Sequence, residues 1–143
     1  MRSNESQKRN NFIQANSFHL PFKDDSFDFV IATCLLMHVT YPEKIISECI
    51  RVSRAGGILV FYLPCEPGIL LSFFRKFVMF PKAKKLGFKG YDLFIAREHR
   101  NNYYSLIKLI QYTPGFSSLK INKYPFRFLH WMLNAFSIAV IRV

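Results

Sequence analysis

The chain has 143 residues, a formal net charge of +11, 50% hydrophobic and 17% aromatic residues, and only 3 Cys. That length suits a single core. The apolar fraction is too high, and the charged fraction of 20% too low, for a disordered chain. Cys34, Cys49 and Cys65 fit no zinc spacing, and their odd number argues against a disulfide framework. Residues 1–11 are polar and basic, without the apolar region of a signal peptide. The apolar stretches are interrupted before the roughly 18 to 20 residues that a spanning helix needs, as His130, Asn134 and Ser137 interrupt 129–141. A cytoplasmic protein, soluble or peripheral at the inner membrane surface, is expected.

Residues 1–11 have no hydrophobic period and are expected to be disordered. Phe12-Ile13-Gln14-Ala15 reads as a short buried strand ended by Asn16-Ser17. After Leu20-Pro21-Phe22 and the polar turn 23–26, the β-branched and aromatic run from Phe27 to Thr33 predicts a second buried strand. Ile45, Ile46, Cys49, Ile50 and Val52 recur near helical spacing behind Pro42 and Glu43, which predicts an amphipathic helix over 43–53. Gly56-Gly57 is expected to stop it through a left-handed glycine. Ile58 to Leu63 predicts a third strand, closed by Pro64. Strand, helix and strand in this rhythm imply an α/β fold with parallel strands and crossover helices.

Past Gly68 the character changes. Residues 69–80 are apolar around Arg75-Lys76, and Lys82, Lys84, Lys85 and Lys89 follow. Three readings stay open: a nucleic-acid patch, which no accompanying binding motif supports; an amphipathic lid touching anionic lipid through 69–89; and a core-facing helix with a solvated basic tail. Residues 101–112 predict a further helix, broken by Pro114-Gly115, and 116–121 and 136–143 predict two closing strands.

The ordered residues Asn16-Ser17, Leu20-Pro21-Phe22, Asp24-Asp25-Ser26-Phe27-Asp28, Leu36-Met37-His38-Val39, Pro42-Glu43-Lys44 and Arg54-Ala55-Gly56-Gly57 resemble the class I S-adenosylmethionine-dependent methyltransferases of the type 11 group. The resemblance implies a Rossmann-like sheet with an antiparallel closing strand, S-adenosylmethionine as cofactor, and methyl transfer to a small-molecule, lipid-linked or saccharide acceptor. It implies that Asn16 accepts from the adenine amino group, that the Ser17 backbone serves a ring nitrogen, and that Ala32 and Thr33 lie beside the methionine moiety. The Gly-rich loop and the ribose-binding acidic residue of the family have no counterpart before Phe12, so an N-terminally truncated domain is expected. Its expected parts are a cofactor-side core (12–64), a cap or lid (65–100), and a C-terminal helix with closing strands (101–143).

Several residues admit two readings. Asn16-Ser17 could be a plain turn, Thr33 could simply pack, and Asp28 reads as structural. His38 has the chemistry of a general base for a hydroxyl or amine, or of a histidine satisfied by backbone; His99, beside Arg97 and Glu98, is a second candidate. Cys34 and Cys65 read as small apolar fillers. No metal site is expected. The rival function is a non-catalytic remnant, a pseudoenzyme that self-associates through an exposed sheet edge.

Overall fold

In a computed structural model, residues 11–143 are described. The expected disordered start therefore lies outside the described residues, apart from Asn11. Four strands form one mixed sheet: β1 (Phe27–Thr33), β2 (Ser53–Pro64), β3 (Ser118–Tyr124) and β4 (Phe136–Arg142), in the spatial order β1-β2-β4-β3. β1 and β2 are parallel and joined by helix α1 (Pro42–Val52), the expected crossover unit. β4 runs antiparallel to both β2 and β3, so the C-terminal strand closes the sheet from within. The remaining helices are α2 (Ile69–Phe74), α3 (Phe80–Lys85), α4 (Tyr91–Glu98) and α5 (Tyr103–Tyr112), with a π-helical turn at Arg75–Met79 linking α2 to α3.

Side chains alternate across a strand, so one sheet face collects Leu59, Phe61, Leu63, Ala139 and Ile141, all buried. Ile45, Ile46 and Cys49 of α1 and Leu106 and Ile110 of α5 pack onto this face and complete the core. Helix α1 forms because its apolar residues fall on one stripe, Pro42 occupies the first turn, and Glu43 and Arg51 complement the helix dipole. α5 starts at Asn102, whose side chain accepts from the Ser105 N–H at 2.9 Å. On the opposite face Phe29 is 54% and Ile31 57% exposed.

Four expectations change. Phe27–Thr33 is a strand but not a buried one: none of its residues is buried, because among the described residues no layer packs on its outer face. Residues 12–15 form no strand; only Asn16 and His19 make an isolated bridge. A strand needs a neighbouring edge to take its backbone groups, and among the described residues β1 is paired on one side alone, to β2. The glycines do not end α1. The helix stops at Val52 with Ser53 extended, its hydroxyl donating to the Cys49 carbonyl at 2.7 Å. Gly56, at φ +78°, instead sits in the irregular start of β2, where the pairing jumps from Phe27–Ser53 to Phe29–Ile58. The core-facing reading of 69–80 also fails, because α2, the π turn and α3 contain no buried residue.

Candidate functional site

The carboxyl ends of β1 and β2 lie side by side, since the strands are parallel with Thr33 opposite Tyr62. In open α/β sheets this is the edge where ligands collect. Two loops leave it, one through Cys34 to Val39 and one through Cys65 to Gly68. Cys34 is exposed with φ +53°, so it is no apolar filler, whereas Cys65 is fully buried as expected. Burial raises both thiols, Cys65 to about 12.

His38 sits on the first loop, in a turn where its N–H donates to the Leu35 carbonyl at 3.1 Å. Its Nδ1 lies 3.0 Å from the Glu98 carbonyl. A carbonyl only accepts, so Nδ1 carries the proton and a neutral His38 keeps its lone pair on Nε2. The ring is exposed, and a backbone group satisfies one nitrogen. The segment after α4 clamps this loop. Arg100 and Asn101 N–H groups donate to the Met37 carbonyl, and Asn101 Nδ2 donates to the Leu36 and Val39 carbonyls at 2.8 and 2.7 Å.

Glu66 leaves the end of β2 and is buried. One carboxylate oxygen, Oε1, meets the Arg75 guanidinium from the π turn, and Oε2 meets Nδ1 of His99. The His99 and His38 rings meet edge to face with centroids 4.9 Å apart. Burial, then the Arg75 guanidinium and the His38 ring, push the His99 imidazole below its ordinary value, against the pull of Glu98. A carboxylate, two imidazoles and two guanidiniums, Arg75 and Arg100, are thus gathered beside the β1–β2 edge. His99 and Arg100 also line a cavity of about 310 Å³ with Glu66, Ser72, Arg75 and Asn102.

The other expected residues fall elsewhere. Asn16 is exposed; its Oδ1 accepts from Phe18 N–H at 3.0 Å and its carbonyl from His19 N–H at 3.0 Å, so the turn geometry is present. It lines an open groove of about 860 Å³ with Phe18, His19, Tyr41, Lys44 and Arg51. Ser17, Ala32, Thr33 and His38 do not line that groove. Ala32 is half-buried and packs on the core, whereas Thr33 is exposed at the strand end. Asp28 pairs with Arg54 Nη1 at 2.8 and 3.0 Å on the surface. Among the described residues no cluster has the composition to hold a metal ion.

Sequence reasoning missed Glu48 and Arg51. Glu48 Oε1 accepts from the Leu20 N–H at 2.7 Å and from Arg51 Nη2 at 2.6 Å, while Oε2 accepts from Arg51 Nε at 2.9 Å. Arg51 Nη1 continues to the Phe22 carbonyl at 2.9 Å and to Asp24 at 2.6 Å. This clamp fastens the Leu20-Pro21-Phe22 loop to α1 and holds the Glu48 carboxyl at about 2. The i, i+3 spacing on a predicted helix was the visible signal; the loop partners were not.

The S-adenosylmethionine chemistry expected from the sequence can be checked against these donors. Asn16 Oδ1 keeps a second lone pair and its amide keeps N–H donors, which suits the hydrogen-bonding edge of adenine. The residues present fit that part of the group.

Comparison with known proteins adds an independent finding. Residues 1–61 match the family described as "Methyltransferase domain". The chain is similar to the ubiquinone/menaquinone biosynthesis C-methyltransferase UbiE of Haemophilus ducreyi, 38% identical over 76 residues, covering 50% of this chain and 29% of that protein. UbiE of Psychromonas ingrahamii is 34% identical over 113 residues, covering 76% and 41%. Among solved structures, a SAM-dependent methyltransferase of Thermotoga maritima superposes with a TM-score of 0.60 at 21% identity, covering 91% of this chain and 62% of that one. That likeness shows the fold. The chain spans well under half the length of these curated relatives.

Proposed function

We propose, from the match of residues 1–61 to the methyltransferase domain family, that the chain serves S-adenosylmethionine-dependent methyl transfer to a small-molecule, lipid-linked or saccharide acceptor at the carboxyl edge of β1 and β2. The observation that carries this reading is the convergence of His38, Glu66 and His99 on that edge. When bound, S-adenosylmethionine supplies a methyl group on a sulfonium, activated for displacement by a nucleophile.

In this reading Asn16 and the Ser17 N–H hold the adenine, and the backbone at Ala32 and Thr33 borders the methionine portion. His38, exposed and with Nε2 free of the Glu98 contact, is the candidate acceptor for a substrate proton. Most of the rate comes from positioning two reactants in line, which demands rigid loops. The Asn101 clamp on the His38 loop and the Glu48–Arg51 clamp on the Leu20 loop supply that rigidity. UbiE is named for C-methylation, and the same class of acceptor atom is one candidate here. Residues 65–100 form the acceptor-facing cap. Its exposed Phe73, Phe77 and Leu86, together with Lys76, Lys82 and Lys85, support contact with an anionic lipid surface through 69–89.

Calorimetric titration of the chain with S-adenosylhomocysteine tests the reading. Saturable one-to-one binding supports it, and no heat from folded protein overturns it.

A second reading is a non-catalytic protein that self-associates. It is favoured by one observation: Phe29 and Ile31 are exposed on β1, which among the described residues is an edge strand with one unpaired side. A monomer at every concentration in light scattering would remove it.

A further inference from the structure

Glu66 and His99 have a geometry that the reading above leaves without a task. An ionised carboxylate accepts and does not donate, so its contact with Nδ1 of His99 places the proton on Nδ1 and the lone pair on Nε2. Arg75 pairs the other oxygen of Glu66, so the buried charge is matched on both sides. The His99 side chain is only 15% exposed, yet it lines the 310 Å³ cavity beside the polar groups of Ser72, Arg100 and Asn102. The charged and titratable groups facing it are Glu66, Arg75, His38 and Glu98; burial, then Arg75 and His38, lower its imidazole against the pull of Glu98. An imidazole held at Nδ1 by a carboxylate, on a residue that lines a polar cavity, is the arrangement of an oriented base.

We propose that His99, oriented by Glu66, is a general base that takes the proton of a hydroxyl-bearing acceptor bound in the cavity beside Ser72 and Asn102. This rests on the methyltransferase reading. An oxygen lone pair of the acceptor forms the new bond to the methyl carbon as the sulfur–methyl bond breaks. The electrons of that bond stay on sulfur, which becomes a thioether. The acceptor proton passes to Nε2 of His99, and the resulting imidazolium faces the Glu66 carboxylate until water removes the proton. A hydroxyl requires such a base, because its own acidity is too low for ionisation near neutrality. The His38 ring meets the His99 ring edge to face, with centroids 4.9 Å apart.

The test uses the full chain labelled with ¹⁵N-histidine, whose long-range couplings report the tautomer of each ring, with diethyl pyrocarbonate as the probe of a free nitrogen. The expected result at pH 7 is an Nδ1–H tautomer for His99, and carbethoxylation of His99 at least as fast as that of the exposed His19, located by peptide mass spectrometry. Glu66→Gln loses the tautomer preference and slows His99 severalfold while His19 is unchanged; a purely structural pair would not make Nε2 reactive. An Nε2–H tautomer, or an unreactive His99, in a wild-type chain that binds S-adenosylhomocysteine overturns this proposal alone. Failure to bind S-adenosylhomocysteine overturns it together with the methyltransferase reading.

Discussion

Glu66 and His99 are 33 residues apart in the sequence and meet as carboxylate and imidazole beside the carboxyl edge of β1 and β2. Two backbone events bring them together. β2 delivers Glu66 past Pro64, where the Glu66 carbonyl accepts from the Tyr103 N–H at 2.8 Å, and α4 ends at Glu98, turning His99 inward. The pair therefore couples the end of α4 to the end of β2, and its state affects stability.

Stability is expected to fall on mild acidification. The folded chain holds His99 below the unfolded value of 6.5, so the unfolded chain binds more protons between the two values. The stabilising contribution is complete above pH 6.5 and is lost as pH falls from there through the folded value. Urea midpoints between pH 8 and 5 will decline, and His99→Gln will flatten that part of the profile.

A second acid limb belongs to Glu48. Its carboxyl stands at about 2, against 4.5 when free, chiefly through its hydrogen bond with Arg51. The contribution is present above pH 4.5 and disappears as pH falls toward about 2. Glu48→Gln removes this limb. The Leu20 amide will then exchange with deuterium faster, because Glu48 no longer fixes the loop.

Asn101→Leu tests the clamp on the His38 loop. The substitution keeps approximate volume and removes two donors from the Leu36 and Val39 carbonyls in a half-buried position. The expected loss is about 2 kcal/mol in chemical denaturation. The His38 ring resonances will broaden or shift, since the turn that carries them loses its anchor. Unchanged His38 signals would show that the turn holds itself.

Phe29→Lys with Ile31→Lys addresses the uncovered sheet face. Both side chains are more than half exposed, so the folded chain should change by no more than about 0.5 kcal/mol. Any self-association through this face will drop, read as a lower mass in light scattering at high concentration.

Much of the frame was legible in the sequence because local patterns carried it. The β-branched run 27–33, the apolar stripe of 43–53 and the Pro42 start each specify their element without reference to distant partners. Residues 12–15 misled for the opposite reason: an apolar run becomes a strand only where an edge receives it. Gly56 misled because left-handed backbone serves strand irregularities as well as helix ends. The site was legible in parts. His38 and His99 were visible as chemistry, but Glu66 and Asn101 act through contacts that close across 60 or more residues of cap and loop in one case and 33 in the other. No spacing rule encodes those.

The account stands most directly on cofactor recognition by these residues. The measurement is a calorimetric titration of the purified chain with S-adenosylhomocysteine, on protein whose fold has been verified by cooperative unfolding. The account predicts one saturable site with an affinity near micromolar, about −8 kcal/mol, weakened by Asn16→Ala. A folded chain that releases no heat at millimolar ligand would contradict it.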